Sequence, residues 1–391
     1  MNSDRSPHNT ADQYLQLFAN DEAMHVSLLA CSAGLSLDDG VASDAIEVVL
    51  PQAVQTQDIL ARIKRLGCVS HNWDGSWRIS EDVRVGLADL LSRQFSADRL
   101  LEIRTRLASK AERKASSLSP DGQITNYRVR EARFQAAYQK LLMPGRAEEG
   151  AQLCAEIWRQ ASADAREATC SAADYVSDEV LRQVEELPPE LLFLKGMAAR
   201  ARGDRDGAKE YFRLVWKQGR PGDIFAIAAH LFGNLSSDRE LAERAFRDSL
   251  QWYDDRSHQG QVWHSLGNLL SRQSPRWKEA EEAYRKSLQL RHDPAHQGQV
   301  YSSWAGAIVD NRPVNEYDKA EEYVRLSLSL RPNERTQSTV NGILARLYEA
   351  KGQYGQAVAA LSAAIEADKR LKNSKLVRQR QQHLEELRRK I

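Results

Sequence analysis

Two histidines at equivalent points of a repeated motif are the first candidates for chemistry in this sequence. His258 opens the run His-Gln-Gly-Gln-Val, and His296 opens the same run 296 − 258 = 38 residues later. An imidazole is a common metal ligand, but neither histidine has a second ligand four residues along its helix, the spacing used by metalloprotease zinc sites. We therefore expect no metal here. An inter-repeat hydrogen bond or a contact with a partner explains the recurrence of the two histidines better.

The other reactive residue types show no catalytic arrangement. Four cysteines are scattered along the chain without a C-x-x-C pair, and burial as small apolar residues is expected for them (Cys31, Cys68, Cys154, Cys170). The sequence contains neither a G-x-S-x-G nucleophile elbow nor a G-x-x-x-x-G-K-[ST] phosphate loop. We expect no enzyme and no cofactor. An enzyme hidden among the helices remains the alternative, and a metal analysis with a hydrolase screen tests it.

Composition and charge narrow the class of protein. Of the 391 residues, 42% are hydrophobic, and 55 Lys and Arg against 54 Asp and Glu give a net charge of +1. This balance excludes a globally basic nucleic-acid coat and a globally acidic solvating chain. No segment approaches the roughly 18 apolar residues of a membrane span, and no apolar run follows the first charges as in a secretory signal. With widely spaced cysteines, a cytoplasmic protein is expected.

The second half of the chain repeats itself. An alanine recurs at intervals of 34, 38, 40 and 37 residues, followed four residues later by a bulky side chain. A small residue lets two helices approach, and the bulky residue one turn later fills the space between neighbouring helix pairs. Such pairs bury their apolar faces only by stacking, so the pattern predicts an all-α solenoid. The alanines are Ala208, Ala242, Ala280, Ala320 and Ala357.

These residues resemble the tetratricopeptide repeat (TPR) family over about residues 189–370. Gly196, Ala208 and Phe212 fit its signature in the first unit, and Gly267 and Tyr284 fit it in the third. The resemblance implies a right-handed α-solenoid whose first helices line a concave surface that holds a protein or peptide. The positions implied to face this groove are Phe193, Met197, Ile227, Gln261, His264, Asn268, Arg272, Gln299, Ser302 and Arg346. The complete Lys and Asn set with which some members clamp a C-terminal carboxylate is missing.

The front of the chain predicts three helices, a hairpin and a further helix. Apolar spacing predicts helices over 22–33, 43–50 and 56–66, and Asp74-Gly75 predicts the hairpin turn. This order resembles the winged-helix domain of signal-transduction ATPases with numerous domains, the STAND class, in which helical repeats commonly follow. Without a phosphate loop, the chain resembles the sensor arm of such a machine and implies a bacterial signalling or antiviral defence complex.

A winged helix also raises the possibility of DNA binding. The third helix would enter the major groove, and its basic residues are Arg62, Lys64 and Arg65. The first two helices are acidic, and no Lys or Arg lies between Arg5 and Arg62, which opposes phosphate binding. We therefore favour a structural or protein-docking winged helix. A transcription regulator that binds DNA through the winged helix is the alternative.

The predicted organisation has five parts. Residues 1–19 are expected to be disordered or extended, 20–97 to form the winged-helix domain and 98–188 a helical connector with degenerate repeats. Residues 174–187 within this connector predict a helix that ends at Pro188. The repeats follow over 189–370, and a basic capping helix over 371–391. In all, the sequence predicts a non-catalytic scaffold or sensor subunit that binds a protein or peptide, with nucleic acid less favoured and no membrane.

Overall fold

The computed structural model describes residues 7–50, 56–72, 75–120, 126–181, 185–330 and 333–391. The described chain is almost entirely helical, as predicted for an all-α protein. It divides into two compact units between Tyr211 and Phe212, inside a helix that we expected to belong to the first repeat.

The first unit contains ten complete helices and one hairpin among the residues described. The helices are α1 (Pro7–Gln16), α2 (Glu22–Ser32), α3 (Asp39–Val49), α4 (Thr56–Ile63), α5 (Glu81–Gln94), α6 (Ala97–Leu118), α7 (Tyr127–Leu141), α8 (Ala147–Gln160), α9 (Ala163–Val180) and α10 (Pro189–Ala201). Strands β1 (Val69–His71) and β2 (Trp77–Ile79) pair antiparallel, with Ser70 opposite Arg78. Helix α11 (Arg205–Lys217) crosses the division between the units.

The N-terminus corrects one prediction. Residues 1–19 were expected to be disordered or extended, but Pro7–Gln16 forms α1 and packs on α5. Ala11 and Leu15 are buried in the same core as Met24 and Leu28 of α2. Burial of these two side chains supplies the stabilisation that the short polar sequence of α1 lacks on its own.

Side-chain caps define the starts of the two helices that follow. Asp21 accepts the amide of Met24 at 3.1 Å, and Asp38 accepts the amide of Val41 at 2.9 Å, so each satisfies a free N–H at a helix start. Helix α4 ends at Ile63, before the residue 66 that we predicted, so Lys64 and Arg65 lie in the turn after it. The predicted turn residue Asp74 lies outside the described residues.

A buried ion-pair cluster joins α5 to the helices of the predicted connector. Arg84 donates hydrogen bonds to Tyr138 Oη at 2.9 Å, Tyr175 Oη at 3.0 Å and a Glu179 carboxylate oxygen at 3.1 Å. Tyr138 Oη also donates to the other Glu179 oxygen at 2.8 Å. The Arg84 guanidinium and the Glu179 carboxylate are both buried, and each neutralises the charge of the other.

The second unit continues as helix pairs. After the end of α11 it contains α12 (Asp223–Leu235), α13 (Arg239–Trp252), α14 (Arg256–Leu270), α15 (Trp277–Leu290), α16 (Pro294–Asn311), α17 (Tyr317–Ser329), α18 (Glu334–Ala350), α19 (Tyr354–Arg370) and α20 (Ser374–Arg388). The close pairs are α12 with α13, α14 with α15, α16 with α17, and α18 with α19. The first helices also pack on one another, α12 on α14, α14 on α16 and α16 on α18.

The residues that define the repeat pattern are core residues, as predicted. The five recurring alanines are buried, and so are the bulky residues four positions later (Phe212, Phe246, Tyr284, Val324 and Leu361). A Cβ atom at Gly267 would lie 2.9 Å from the Tyr284 ring, so only glycine leaves room for that ring. The repeat is therefore held by a small and a large residue one turn apart on the second helix of each pair, and in the third unit by glycine on the first helix.

Candidate functional site

An open cleft of about 540 Å³ runs across the first helices of successive pairs in the second unit. Its walls come from α14, α16 and α18, and α20 supplies Arg380 and His383 at one end. Most of its lining residues carry polar side chains. Besides the groove positions predicted from sequence, the lining includes Ser271, Tyr284, Ser303, Gly306, Ala307, Asp310, Asn311, Thr339, Gly342, Ile343, Leu361, Arg380 and His383.

The cleft brings together four of the predicted groove residues. Asn268 and Arg272 come from α14 and the turn after it, Ser302 from α16 and Arg346 from α18. Asn268 accepts a hydrogen bond from Tyr284 Oη at 2.8 Å, which fixes its amide. Arg272 is exposed and has no hydrogen-bond or ion-pair partner within the described part of the chain.

Arg346 reaches an exposed carboxylate of the neighbouring repeat. Its guanidinium pairs with Asp310 of α16, and the two side chains are 44% and 48% exposed. An ion pair this exposed contributes between zero and about 1 kcal/mol, so it can be exchanged at little cost.

Arg380 sits deeper and is held in place. Its Nη1 donates to Ser338 Oγ at 2.9 Å and to Asp368 at 2.8 Å, and Asp368 is fully buried. Burial and the nearby positive charge of Arg346 lower the pKa of Arg380, although Asp368 opposes the shift. The two guanidinium groups are thus close enough to influence each other. A Cβ atom at Gly342 would meet Arg380 at 2.8 Å, so glycine makes the space that Arg380 occupies.

Burial corrects one predicted groove residue, Phe193, and limits the exposed surface of another, Ser302. Phe193 is fully buried in the first unit, where its ring meets Trp158 edge-on at 4.9 Å, so it offers no surface to a partner. Ser302 borders the cleft but is 4% exposed, and its hydroxyl donates to the Gln299 carbonyl of its own helix at 2.9 Å. The error at Phe193 arises because helical position alone does not say which neighbouring side chain covers a residue.

The remaining predicted groove residues do not line this cleft. Met197 and Ile227 are half-buried, Gln261 and Gln299 are exposed, and His264 is half-buried with its Nε2 2.9 Å from Ser303 Oγ. Only Ile227, Gln261, His264 and Gln299 of this group belong to the same unit as the cleft. These four residues stay predictions for a wider binding surface, and Met197 of the first unit stays a prediction for groove contact.

Sequence reasoning missed four charged or titratable contributors to this region. Asp310, Arg380 and His383 line the cleft, and Asp368 lies beneath Arg380. The basic composition of the capping helix predicted over 371–391 was the available signal for Arg380, but we interpreted that helix as a solvated cap. Only the packing of α20 on α19 brings Arg380 to the buried Asp368.

The paired histidines make hydrogen bonds between repeats, as predicted. Ser249 Oγ donates to the Ala226 carbonyl at 2.7 Å and lies 2.9 Å from His258 Nε2. Ser287 Oγ and His296 Nε2 repeat this geometry, with Gly260 as the acceptor. Because each serine donates its proton to a carbonyl, the imidazole Nε2–H must be the donor, which in the neutral ring fixes the Nε2–H tautomer.

Burial keeps these imidazoles neutral. It lowers the pKa of His258, and it lowers the pKa of His296 to about 4, with help from the charge of Arg291 and against that of Asp293. Burial also lowers the pKa of His264 to about 3, aided by His296, whose ring centre is 5.7 Å away. Within the described residues no group of three or more His, Cys, Asp or Glu side chains is placed to hold a metal ion.

The cysteines have no reactive environment in this structure. All four are buried and free, and burial raises the pKa of Cys31, Cys154 and Cys170 to about 12. A thiol with so high a pKa is not a thiolate nucleophile at neutral pH.

The basic residues considered for DNA contact are largely neutralised within the first unit. Arg62 pairs with Asp21 at 2.7 Å, and Lys64 pairs with Asp39 at 3.0 Å. Arg65 is exposed. Two of the three basic residues considered for phosphate contact are therefore already paired with a carboxylate.

Comparison with known proteins finds repeats in the second unit. One tetratricopeptide repeat family model matches residues 262–298, and another matches 339–370. No curated protein matches the chain. In the described residues no helix is long and apolar enough to cross a membrane. The two matches and the almost entirely helical structure support a protein built with tetratricopeptide repeats, of the kind that generally serve protein–protein interaction.

Proposed function

We propose that this chain is a non-catalytic scaffold or sensor subunit that captures a partner protein or peptide in the cleft of its second unit. One observation carries the proposal: three successive first helices present Asn268, Arg272, Asp310 and Arg346 to one open cleft. Arg272, Asp310 and Arg346 are exposed and do not hold the repeat core together, so they are available for recognition, whereas Asn268 is partly buried and bonded to Tyr284. Repeats of this family are generally non-catalytic scaffolds, which supports the same function.

The architecture proposed around this function is a right-handed α-solenoid behind a winged-helix domain. In support of the winged helix, α2, α3 and α4 precede the β1–β2 hairpin, and Leu37 bridges to Trp77 of β2. By resemblance to the STAND class, we propose a bacterial signalling or antiviral defence complex as the setting, with a cytoplasmic location. The acidic residues of the first two helices, including the carboxylates beside Arg62 and Lys64, count against the DNA-binding alternative, which we do not propose.

Charge reversal in the cleft tests the proposal. Partners are first identified by affinity purification from the native host and mass spectrometry, and then the purified partner is captured on wild-type protein and on the double variant Arg272→Glu with Arg346→Glu. We expect capture to fall at least about tenfold while the melting temperature stays unchanged. The matched control is Arg325→Glu, an exposed arginine of α17 outside the cleft lining. Equal capture by the double variant and the wild type would refute a role for the cleft.

A further inference from the structure

The charge of the cleft is one-sided. Its described lining carries three arginines, Arg272, Arg346 and Arg380, each from a different helix or the turn that follows it. Asp310 is the one acidic residue in that lining. Arginine presents a planar fork of hydrogen-bond donors that matches a carboxylate, so the charge of the cleft lining alone favours anionic groups.

The three arginines differ in availability. Arg380 is committed to the buried Asp368, and removing it would leave that carboxylate without a cation. Arg272 has no partner within the described residues, and Arg346 has only its exposed pair with Asp310. A ligand can therefore bind Arg272 directly and Arg346 by exchange with Asp310.

The carboxylate of Asp310 occupies the position beside Arg346 that a ligand carboxylate would take. It shows that a side-chain carboxylate from an adjacent element reaches Arg346 at the cleft surface. Ser303, Asn311 and Thr339 also line the cleft, and each already makes a hydrogen bond within the chain, so the choice of ligand rests on the arginines.

The spacing of the arginines specifies the arrangement of the ligand. Helix α16 packs between α14 and α18, so Arg272 and Arg346 belong to elements two helix spacings apart. Neighbouring helix axes lie about 8–10 Å apart, which gives roughly 16–20 Å between those elements. An extended chain covers about 3.3 Å per residue, so this distance corresponds to about five residues. Two acidic side chains about five residues apart can therefore reach both elements.

We propose that the ligand of this cleft is an internal acidic segment of a partner polypeptide, whose carboxylates bind Arg272 and Arg346 while Asp310 is displaced. The inference rests on the proposed function and specifies the chemistry of the partner. Recognition through side-chain carboxylates needs no free C-terminus, which agrees with the absence of the complete Lys and Asn clamp.

End-blocked peptides labelled with fluorescein test the chemistry. The probe is a twelve-residue Gly/Ser/Thr peptide with two glutamates five residues apart, and the comparison peptides carry glutamine or lysine at those positions, or two adjacent glutamates. Fluorescence anisotropy with the full chain is expected to give binding of the spaced-glutamate peptide at least about tenfold tighter than of the glutamine peptide, and weaker binding at high salt. Arg272→Glu should remove this preference.

The decisive variant strengthens binding instead of weakening it. Asp310→Asn removes the competing carboxylate, so affinity for the spaced-glutamate peptide should rise by about two- to fivefold, as expected when one exposed ion pair is released. Asp318→Asn is the matched control, because Asp318 is an exposed carboxylate paired with Lys351 outside the cleft lining. It should leave peptide affinity unchanged. A purely structural role of Asp310 predicts no gain.

The outcomes separate this inference from the proposed function. If the glutamine or lysine peptide binds as tightly as the acidic one, or Asp310→Asn gives no gain, the acidic-segment inference is wrong, even where partner capture still depends on Arg272 and Arg346. Binding of a single-stranded oligonucleotide with the same arginine dependence, without peptide binding, also overturns it. If partner capture is independent of both arginines, the proposed function itself fails.

Discussion

The buried histidines predict that acid weakens the repeats within a definite pH range. His296 is 3% exposed, and its Nε2–H donates to Ser287, so protonation of the ring would place a positive charge and a second N–H, on Nδ1, in a buried site. Its pKa falls from the ordinary 6.5 to about 4 in the folded chain. Unfolded protein therefore binds more protons below pH 6.5, and stability is lost as the pH falls from about 6.5 towards 4.

The size of the effect follows from the interval in pH. From pH 6.5 to pH 5 is about 1.5 units, and each unit is worth about 1.4 kcal/mol, so His296 costs about 2 kcal/mol of folding free energy at pH 5. His264, with a pKa of about 3, adds a similar loss, and the two rings disfavour each other's charge. The pair should thus cost about 4 kcal/mol at pH 5.

Urea unfolding followed by tryptophan fluorescence at about pH 7.5 and pH 5 measures this loss. The variant His264→Gln with His296→Gln keeps an N–H donor at each site but cannot be protonated in this range. We expect the variant to lose about 4 kcal/mol less than the wild type between the two pH values. His292→Gln, at an exposed histidine of the same unit, is the control and should behave as the wild type. Equal losses in wild type and double variant would refute the argument.

One core substitution in each unit, each compared with a second variant, gives further tests. Gly267→Ala places a methyl group 2.9 Å from the Tyr284 ring and should lower the free energy of unfolding by about 1–3 kcal/mol. Gly355→Ala, at a helical position with nothing within 4 Å, should leave that free energy unchanged or raise it by up to about 1 kcal/mol. Urea midpoints compare the two variants, and equal effects would contradict the packing argument. In the first unit, Glu179→Gln leaves the buried Arg84 cation without a carboxylate and should cost about 3–5 kcal/mol. The double variant Arg84→Met with Glu179→Leu should recover part of that loss, and no recovery would show that the charge is not the cause.

The repeat could be predicted from the sequence because it depends on the spacing of small and bulky residues within single helices. A small residue and a bulky residue four positions later must lie on one helix face, and Ala280 with Tyr284 is indeed buried between helices. The recurrence of His258 and His296 likewise predicted equal contacts, and the structure shows the same Ser–His hydrogen bond at both sites. Local periodicity carries this information without knowledge of the tertiary contacts.

Predictions that depended on the neighbour of an element were less successful. The helix predicted over 174–187 begins at Ala163, because the alanine-rich run before it is a strong helix former that lacks an apolar period. Phe193 occupies a groove position in the family pattern, yet Trp158 of α8 covers it. Arg380 belongs to a run of like charge that normally lies in solvent, and only the fully buried Asp368 draws it inward. For Phe193 and Arg380 the deciding residue lies on another helix.

The division between buried and exposed positions has a consequence for partner choice. Ala280, Tyr284 and Gly267 hold the helix pairs together and tolerate little change, since a single Cβ atom at Gly267 would collide with the ring. Arg272 and Arg346, by contrast, contribute almost nothing to stability, because one has no partner among the described residues and the other has only an exposed pair. Charge in the cleft can therefore change sign without loss of the fold. It follows that the double charge reversal should create a cleft that prefers the lysine peptide, and such a switch would show that the arginines determine specificity and not merely affinity.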